Sequence, residues 1–134
     1  MKRISAILIL LAITTTISAS LIIFNSNDII ADIGNSIKSG NASSVSKYFN
    51  STLDMTTPDN EGTYSKTQAE LILKDFFTKN LPASFTINHQ GSSNDGSLYA
   101  IGTYVSGTSS FRTYFLLKKV NTSYLIQKLE FEKQ

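Results

Sequence analysis

Apolar and polar residues alternate along the last third of the chain. The alternation runs through Leu98–Ser106, Ser110–Val120 and Tyr124–Glu132, and is interrupted only at two short polar stretches. A period of two marks a half-buried strand, so the pattern predicts a three-stranded meander. A two-residue turn at Gly107-Thr108 pairs Tyr104 with Phe111, Ala100 with Phe115 and Leu98 with Leu117. One face then carries Leu98, Ala100, Gly102, Tyr104, Phe111, Phe115 and Leu117, and the other Tyr99, Ile101, Val105, Arg112, Tyr114 and Leu116. The last turn allows two registers. A two-residue loop at Asn121-Thr122 sets Phe115 opposite Lys128. A three-residue loop through Ser123 sets Phe115 opposite Leu129 and Arg112 opposite Glu132. The second matches apolar with apolar and pairs opposite charges, so it is the register expected.

Upstream the period changes. Ile29, Ile30, Ile33 and Ile37 form a helical stripe over Asp28–Ser39, with Asn27 or Asp28 as the cap and Gly40 as the stop. Asn41 opens a shorter helix through Phe49, with Ala42, Val45 and Phe49 on one face. Thr52–Thr57 alternates as a strand, Leu53 and Met55 inward, Asp54 and Thr56 outward. Pro58 to Gly62 is a turn, and Thr63-Tyr64 a short return strand. Ser65-Lys66-Thr67-Gln68 fits a capping box and starts a helix over Lys66–Lys79, which Asn80 and Pro82 end. Its apolar face is Ala69, Ile72, Leu73, Phe76 and Phe77. Ile72, Leu73 and Phe76 are expected to pack over Ala100, Gly102 and Phe115, where two small residues leave room. Ala83–Gln90 is a strand with Phe85, Ile87 and His89 on one face. The order ααβ(β)αββββ makes an α+β domain, with three helices packed on one face of a curved antiparallel sheet.

The N-terminal stretch stands apart. Lys2 and Arg3 precede an uncharged, largely apolar run from Ile4 to Asn27, and Ser18-Ala19-Ser20 offers a small–x–small cleavage site. This pattern predicts a signal peptide over residues 1–20, removed on export to the periplasm or beyond the cell, with one domain over 25–134. Leu21-Ile22-Ile23-Phe24 continues the apolar run, so the alternative is an uncleaved anchor in the inner membrane through Phe24. The formal net charge of +2 owes everything to Lys2 and Arg3, because all 10 acidic residues and the other basic ones lie after the run. The remaining domain is close to neutral and has no basic patch for nucleic acid. It has no cysteine, which rules out both a disulfide framework and a lipid anchor on an N-terminal Cys.

The element order resembles the nuclear-transport-factor-2-like superfamily over Asp28–Glu132. The stretches Ile37-Lys38-Ser39-Gly40-Asn41, Glu61-Gly62-Thr63-Tyr64-Ser65 and Asn88-His89-Gln90-Gly91 resemble an uncharacterised family of exported Bacteroidota proteins with that fold. The resemblance implies a cone-shaped domain and an exported compartment, and no particular reaction. The wider superfamily includes ketosteroid isomerases, dehydratases and epoxide hydrolases, which work inside the cone.

Such chemistry needs a carboxylate or a His–Asp pair in an apolar pocket, where burial tunes the pKa. The one histidine, His89, shares strand parity with Phe85 and Ile87 and is expected to face inward. Tyr48, Tyr64 and Tyr104 are the hydroxyl donors expected near the same cavity. Asp54 alternates away from the core and Asp75 sits beside the apolar face of its helix, so His89 has no evident acid partner and reads first as a hydrogen-bonded histidine at the core edge. No residue is therefore assigned as catalytic. One His and no Cys cannot build a zinc site, the oxygen-rich Asp59-Asn60-Glu61 lacks calcium-loop spacing, and the glycines are isolated, so no metal or cofactor is expected. Asn41, Asn50 and Asn121 each begin an N-x-Ser/Thr triplet that reads as cap and turn chemistry.

The second face of the meander is the broadest apolar feature. Tyr99, Ile101, Tyr114, Leu116, Tyr124 and Ile126 are expected there together. They read either as cross-strand pairs on a half-exposed sheet or as a surface for a homodimer or protein partner. The function expected is an exported, non-enzymatic domain that binds a small apolar ligand in the cone or a protein through the sheet. The alternatives are an isomerase- or hydrolase-type enzyme centred on His89 and a membrane-anchored structural module of the envelope.

Overall fold

The structure, a computed structural model, describes residues 25–134; the expected signal or anchor lies outside them. Its elements are α1 (Ser26–Ser39), α2 (Ala42–Ser46), β1 (Phe49–Thr57), β2 (Asn60–Ser65), α3 (Lys66–Lys79), β3 (Ser84–Ser92), β4 (Leu98–Ser106), β5 (Ser109–Val120) and β6 (Ser123–Lys133). The strands form one sheet in the order β2-β1-β6-β5-β4-β3. The expected α+β class and element order hold. One pairing differs from an all-antiparallel sheet: β1 runs parallel to β6, as the long connection through α3 and four strands allows where no hairpin joins them.

The caps explain where the helices begin and end. Asn25, two residues before the first of the expected caps, accepts from the Asn27 N–H and starts α1. Gly40 ends it at φ 67°, a left-handed conformation that glycine adopts without cost. Asn41 caps α2, but α2 stops at Ser46. Phe49 belongs to β1, where it pairs with Ile126 and is buried from the sheet side. At α3 the capping box forms as expected: the Ser65 hydroxyl accepts from the Gln68 N–H at 3.2 Å, and the Gln68 side chain accepts from the Ser65 N–H at 3.1 Å.

α1 lies over β3 and β4, while α3 lies over α2 and the β1–β2 hairpin. This division corrects the expected packing. Phe76 does not cover Gly102. A Cβ at Gly102 would stand 2.8 Å from the Phe85 ring and 2.7 Å from the Thr86 carbonyl oxygen, so it is β3's own Phe85 that fills the space over this glycine. Phe76 instead meets Phe131, Phe111 and Tyr104 at ring-centroid distances of 4.4, 5.2 and 5.4 Å. Phe77, beside it, is equally buried and stacks on Tyr104 at 6.0 Å.

Three irregularities curve the sheet, as inserted residues do. On β3, Ile87 pairs with Gly102 and His89 with Ile101, so Asn88 is an extra residue. On β6, Leu116 pairs with Lys128 and Leu117 with Ile126, so Gln127 is extra. The pairing of β1 with β6 also shifts between Phe49 and Asp54, and the two irregular sites are tied together by a 2.9 Å hydrogen bond from Asn50 to Gln127. The last hairpin thereby contains both registers. Its loop has two residues, with Val120 opposite Ser123. Beyond the bulge Phe115 faces Leu129 and Arg112 faces Glu132, as the charge and apolar matching required.

Candidate functional site

The cone interior is the first place to look for chemistry, and it is filled. Phe76, Phe77, Tyr104, Phe111 and Phe131 form one ring cluster, with Phe115, Leu117, Ile126 and Leu129 completing the sheet side of the core. Tyr104 is fully buried, and its hydroxyl donates to the Asn80 carbonyl at the end of α3. Burial pushes its pKa well above the ordinary tyrosine range, so this phenol is a structural donor at neutral pH. Tyr48 and Tyr64 pack half-buried against the same core. The tyrosines expected at the cavity are therefore wall and rim of a packed interior.

His89 is not inside. The extra residue at Asn88 reverses the strand parity after Ile87, so His89 leaves the Phe85 side and joins Ile101 on the outer face of the sheet. It is exposed there, and its Nε2 lies 3.1 Å from the Tyr99 hydroxyl. Among the described residues, no group of three or more His, Cys, Asp or Glu is placed to hold a metal ion. Among them, too, no helix is long and apolar enough to cross a membrane.

The bulge at Gln127 reassigns two more residues. Ile126 pairs with Leu117 and is fully buried in the core, and Tyr124, two residues earlier, packs against the core on the same face. Neither belongs to the outer patch. The other four do. Row by row across the strands, Tyr99, Leu116, Lys128, Asp54 and Thr63 lie side by side, followed by His89, Ile101, Tyr114, Glu130 and Thr56. The outer face is thus divided. Its β3–β5 half is apolar and aromatic, with Tyr99, Ile101, Tyr114 and Leu116 all half-buried. Its β6–β1–β2 half is polar. There Lys128 pairs with Glu130 at 2.7 Å, which raises the lysine pKa, and the Thr63 hydroxyl donates to Asp54 at 2.6 Å. Arg112 opposite Glu132 closes one end, and Lys118 the other.

Two helix-side features were not singled out from the sequence. An open groove of about 570 Å³ runs between the α1–α2 turn and α3, past Asn41, Glu70, Lys74, Phe77 and the exposed Leu81. The second is Thr113, buried on the inner face of β5 between Gly102 and Phe131, whose hydroxyl has no hydrogen-bond partner among the described residues. Its inward parity was readable from the alternation Phe111, Thr113, Phe115; the lack of a partner was not.

Residues 30–132 match the model of a family described as Domain of unknown function (DUF4783). A crystal structure of a protein of that family from Bacteroides ovatus is 31% identical with a TM-score of 0.73, covering 78% of this chain and 94% of that one. One from Bacteroides fragilis is 24% identical with a TM-score of 0.71, covering 77% and 96%. At the level of the fold, an NTF2-like protein of unknown function from Shewanella baltica is 13% identical with a TM-score of 0.58, covering 81% and 90%. No curated protein matches the chain.

Proposed function

The chain belongs to the DUF4783 family of NTF2-like fold, and from that premise we propose that it is an exported, non-catalytic association domain whose working surface is the outer face of its sheet. One observation carries the reading. The cone is packed with aromatic rings, while Tyr99, Ile101, Tyr114 and Leu116 stand together on the opposite face, half-buried and uncovered by any helix among the described residues. An apolar centre bordered by charge is the anatomy of an interface. The border holds both signs, Arg112, Lys118 and Lys128 with Asp54, Glu130 and Glu132. A two-fold interface sets a patch against its own copy, so a patch with both signs suits self-association. The partner is a second copy of this chain. The N-terminal basic and apolar run supports export, and His89, outside the cone, gives the isomerase- or hydrolase-type alternative no acid–base group at its centre.

Leu116→Asp tests this reading. The position lies on the face away from the helices, so the fold survives, but association would bury an unpaired carboxylate. Sedimentation over a concentration range should show a wild-type dimer and a variant weakened at least about a hundredfold. A wild type that stays monomeric at high concentration overturns self-association.

A further inference from the structure

A two-fold axis lying between two facing sheets can run along the strands or across them, and the side chains of the outer face distinguish the two. Facing sheets pack with their strands about 30° apart, which either axis can satisfy. An axis across the strands, between the Leu116 row and the Tyr114 row, lays each strand over its own copy. It sets Lys118 over Arg112, like charge on like, and covers the carboxylates of Asp54 and Glu61 with Thr56 and Thr63. Taking a carboxylate out of water without an opposite charge is costly. The same axis brings Lys128 to Glu130, but each already has that partner in its own copy, at 2.7 Å.

An axis along the strands, between β4 and β5, keeps the rows and exchanges the columns. Tyr99 then lies over Leu116 of the other copy, Ile101 over Tyr114, and β3 over β6, while the polar β1–β2 half stays in water. The edges match as well. Tyr99 leans across Gly91, where a Cβ would come within 2.8 Å of its hydroxyl, and that hydroxyl lies 3.1 Å from His89 Nε2. This His–Tyr pair faces the Lys128–Glu130 pair of the other copy, in the same two rows. We propose, on the basis of the self-association above, that the copies meet about the along-strand axis, so that His89 of each stands over Glu130 of the other and the dimer tightens as His89 takes up a proton. Tyr99 is the titratable neighbour within its own copy. From the other copy it faces Glu130 and Lys128, with Glu132, Arg112 and Asp54 around them, three carboxylates against two cations. Histidine ordinarily changes charge between about pH 5 and 8, and the chain has 1 His. The dimer supplies an acidic surface that the monomer lacks, so it holds the proton more tightly, and association strengthens as the pH falls.

The chain has no cysteine, so single introduced thiols report on the arrangement. Facing sheets stand about 10 Å apart, too far for a disulfide, and a short bismaleimide serves as the linker. A mixture of His89→Cys and Glu130→Cys chains should link across copies. Neither should link to itself, because like positions are separated by three strand spacings, about 14 Å, as well as the gap between sheets. Glu130→Cys linking to itself is the mark of the across-strand axis and overturns the proposal. In sedimentation the wild-type dimer should tighten about tenfold from about pH 7.5 to about pH 5.5, the worth of two exposed ion pairs, and His89→Gln should abolish that change. A dimer indifferent to this range, or a pH response that His89→Gln retains, also overturns it. A wild type monomeric at both pH values defeats the self-association reading and this arrangement together, whereas a stable dimer with the wrong linkage defeats the arrangement alone.

Discussion

Replacing Phe76 with alanine removes the ring through which α3 holds the sheet. The side chain is 3% exposed and its centroid lies 4.4 Å from Phe131, 5.2 Å from Phe111, 5.4 Å from Tyr104 and 6.0 Å from Phe77. A buried Phe→Ala change costs roughly 3–5 kcal/mol through lost transfer energy and the cavity left behind. Four ring neighbours, each pair favourable by about 0.5–1.5 kcal/mol beyond area, place this site near the upper end, at about 4–5 kcal/mol. The neighbours come from β4, β5, β6 and α3 itself, so the void cannot close by moving one element. Urea unfolding at fixed protein concentration measures the effect, the concentration being held because association would add stability. With a slope of about 2 kcal/mol/M for a domain this small, the midpoint should fall by about 2 M. Phe76→Leu, which keeps most of the volume, should lose only about 1–2 kcal/mol. A fall of less than about 0.5 M for Phe76→Ala, at unchanged slope, would refute the view that this cluster holds the cone shut.

Two further substitutions probe the same interior. Gly102→Ala places a methyl 2.7 Å from the Thr86 carbonyl oxygen, a backbone atom that a side-chain rotation cannot clear, and should cost about 1–3 kcal/mol in thermal or urea unfolding. Tyr104→Phe should cost about 1 kcal/mol at neutral pH by leaving the Asn80 carbonyl without its donor. Its pH dependence has a definite sign. The folded pKa is raised, so stability is intact below the unfolded value of about 10 and is lost as the pH rises above it, where only the unfolded chain gives up the proton. Urea midpoints near pH 8 and about pH 10.5 should therefore converge for the Phe variant relative to wild type.

The sequence revealed most of the fold because its local signals agree with one another. Ser65 and Gln68 announce the start of α3, and Asn80 its end. Gly107, at φ 55°, fits a tight hairpin turn, and once it is placed the alternation on β4 and β5 leaves one register that puts Ala100 against Phe115. Phe49 was misplaced in α2 because three apolar residues at helical spacing, Ala42, Val45 and Phe49, say nothing about where the helix stops. What decides it is long-range: Phe49 completes the core from β1, against Ile126 of a strand that begins more than seventy residues later.

The site was less legible, and for one physical reason repeated twice. Strand parity carries a side chain's face forward only while the register is unbroken. Asn88 and Gln127 each insert one residue, and a bulge has no strong mark in a single sequence, since neither position is glycine. Each insertion moved the residues beyond it to the opposite face: His89 out of the cone, and Ile126 with Tyr124 into it. Residues between the bulges and the hairpin turns, Tyr99, Ile101, Tyr114 and Leu116, kept their places. The two bulges act in one direction. They take the imidazole of His89 out of the interior and put an isoleucine and a tyrosine against the core, so the same irregularities that curve the sheet also make its concave side more apolar. Two hydroxyls remain on the concave side of β4 and β5: Tyr104 donates to the Asn80 carbonyl, whereas Thr113, on an unbulged stretch of β5 between Gly102 and Phe131, has no partner among the described residues. Everything else about the interior selects for exclusion of water.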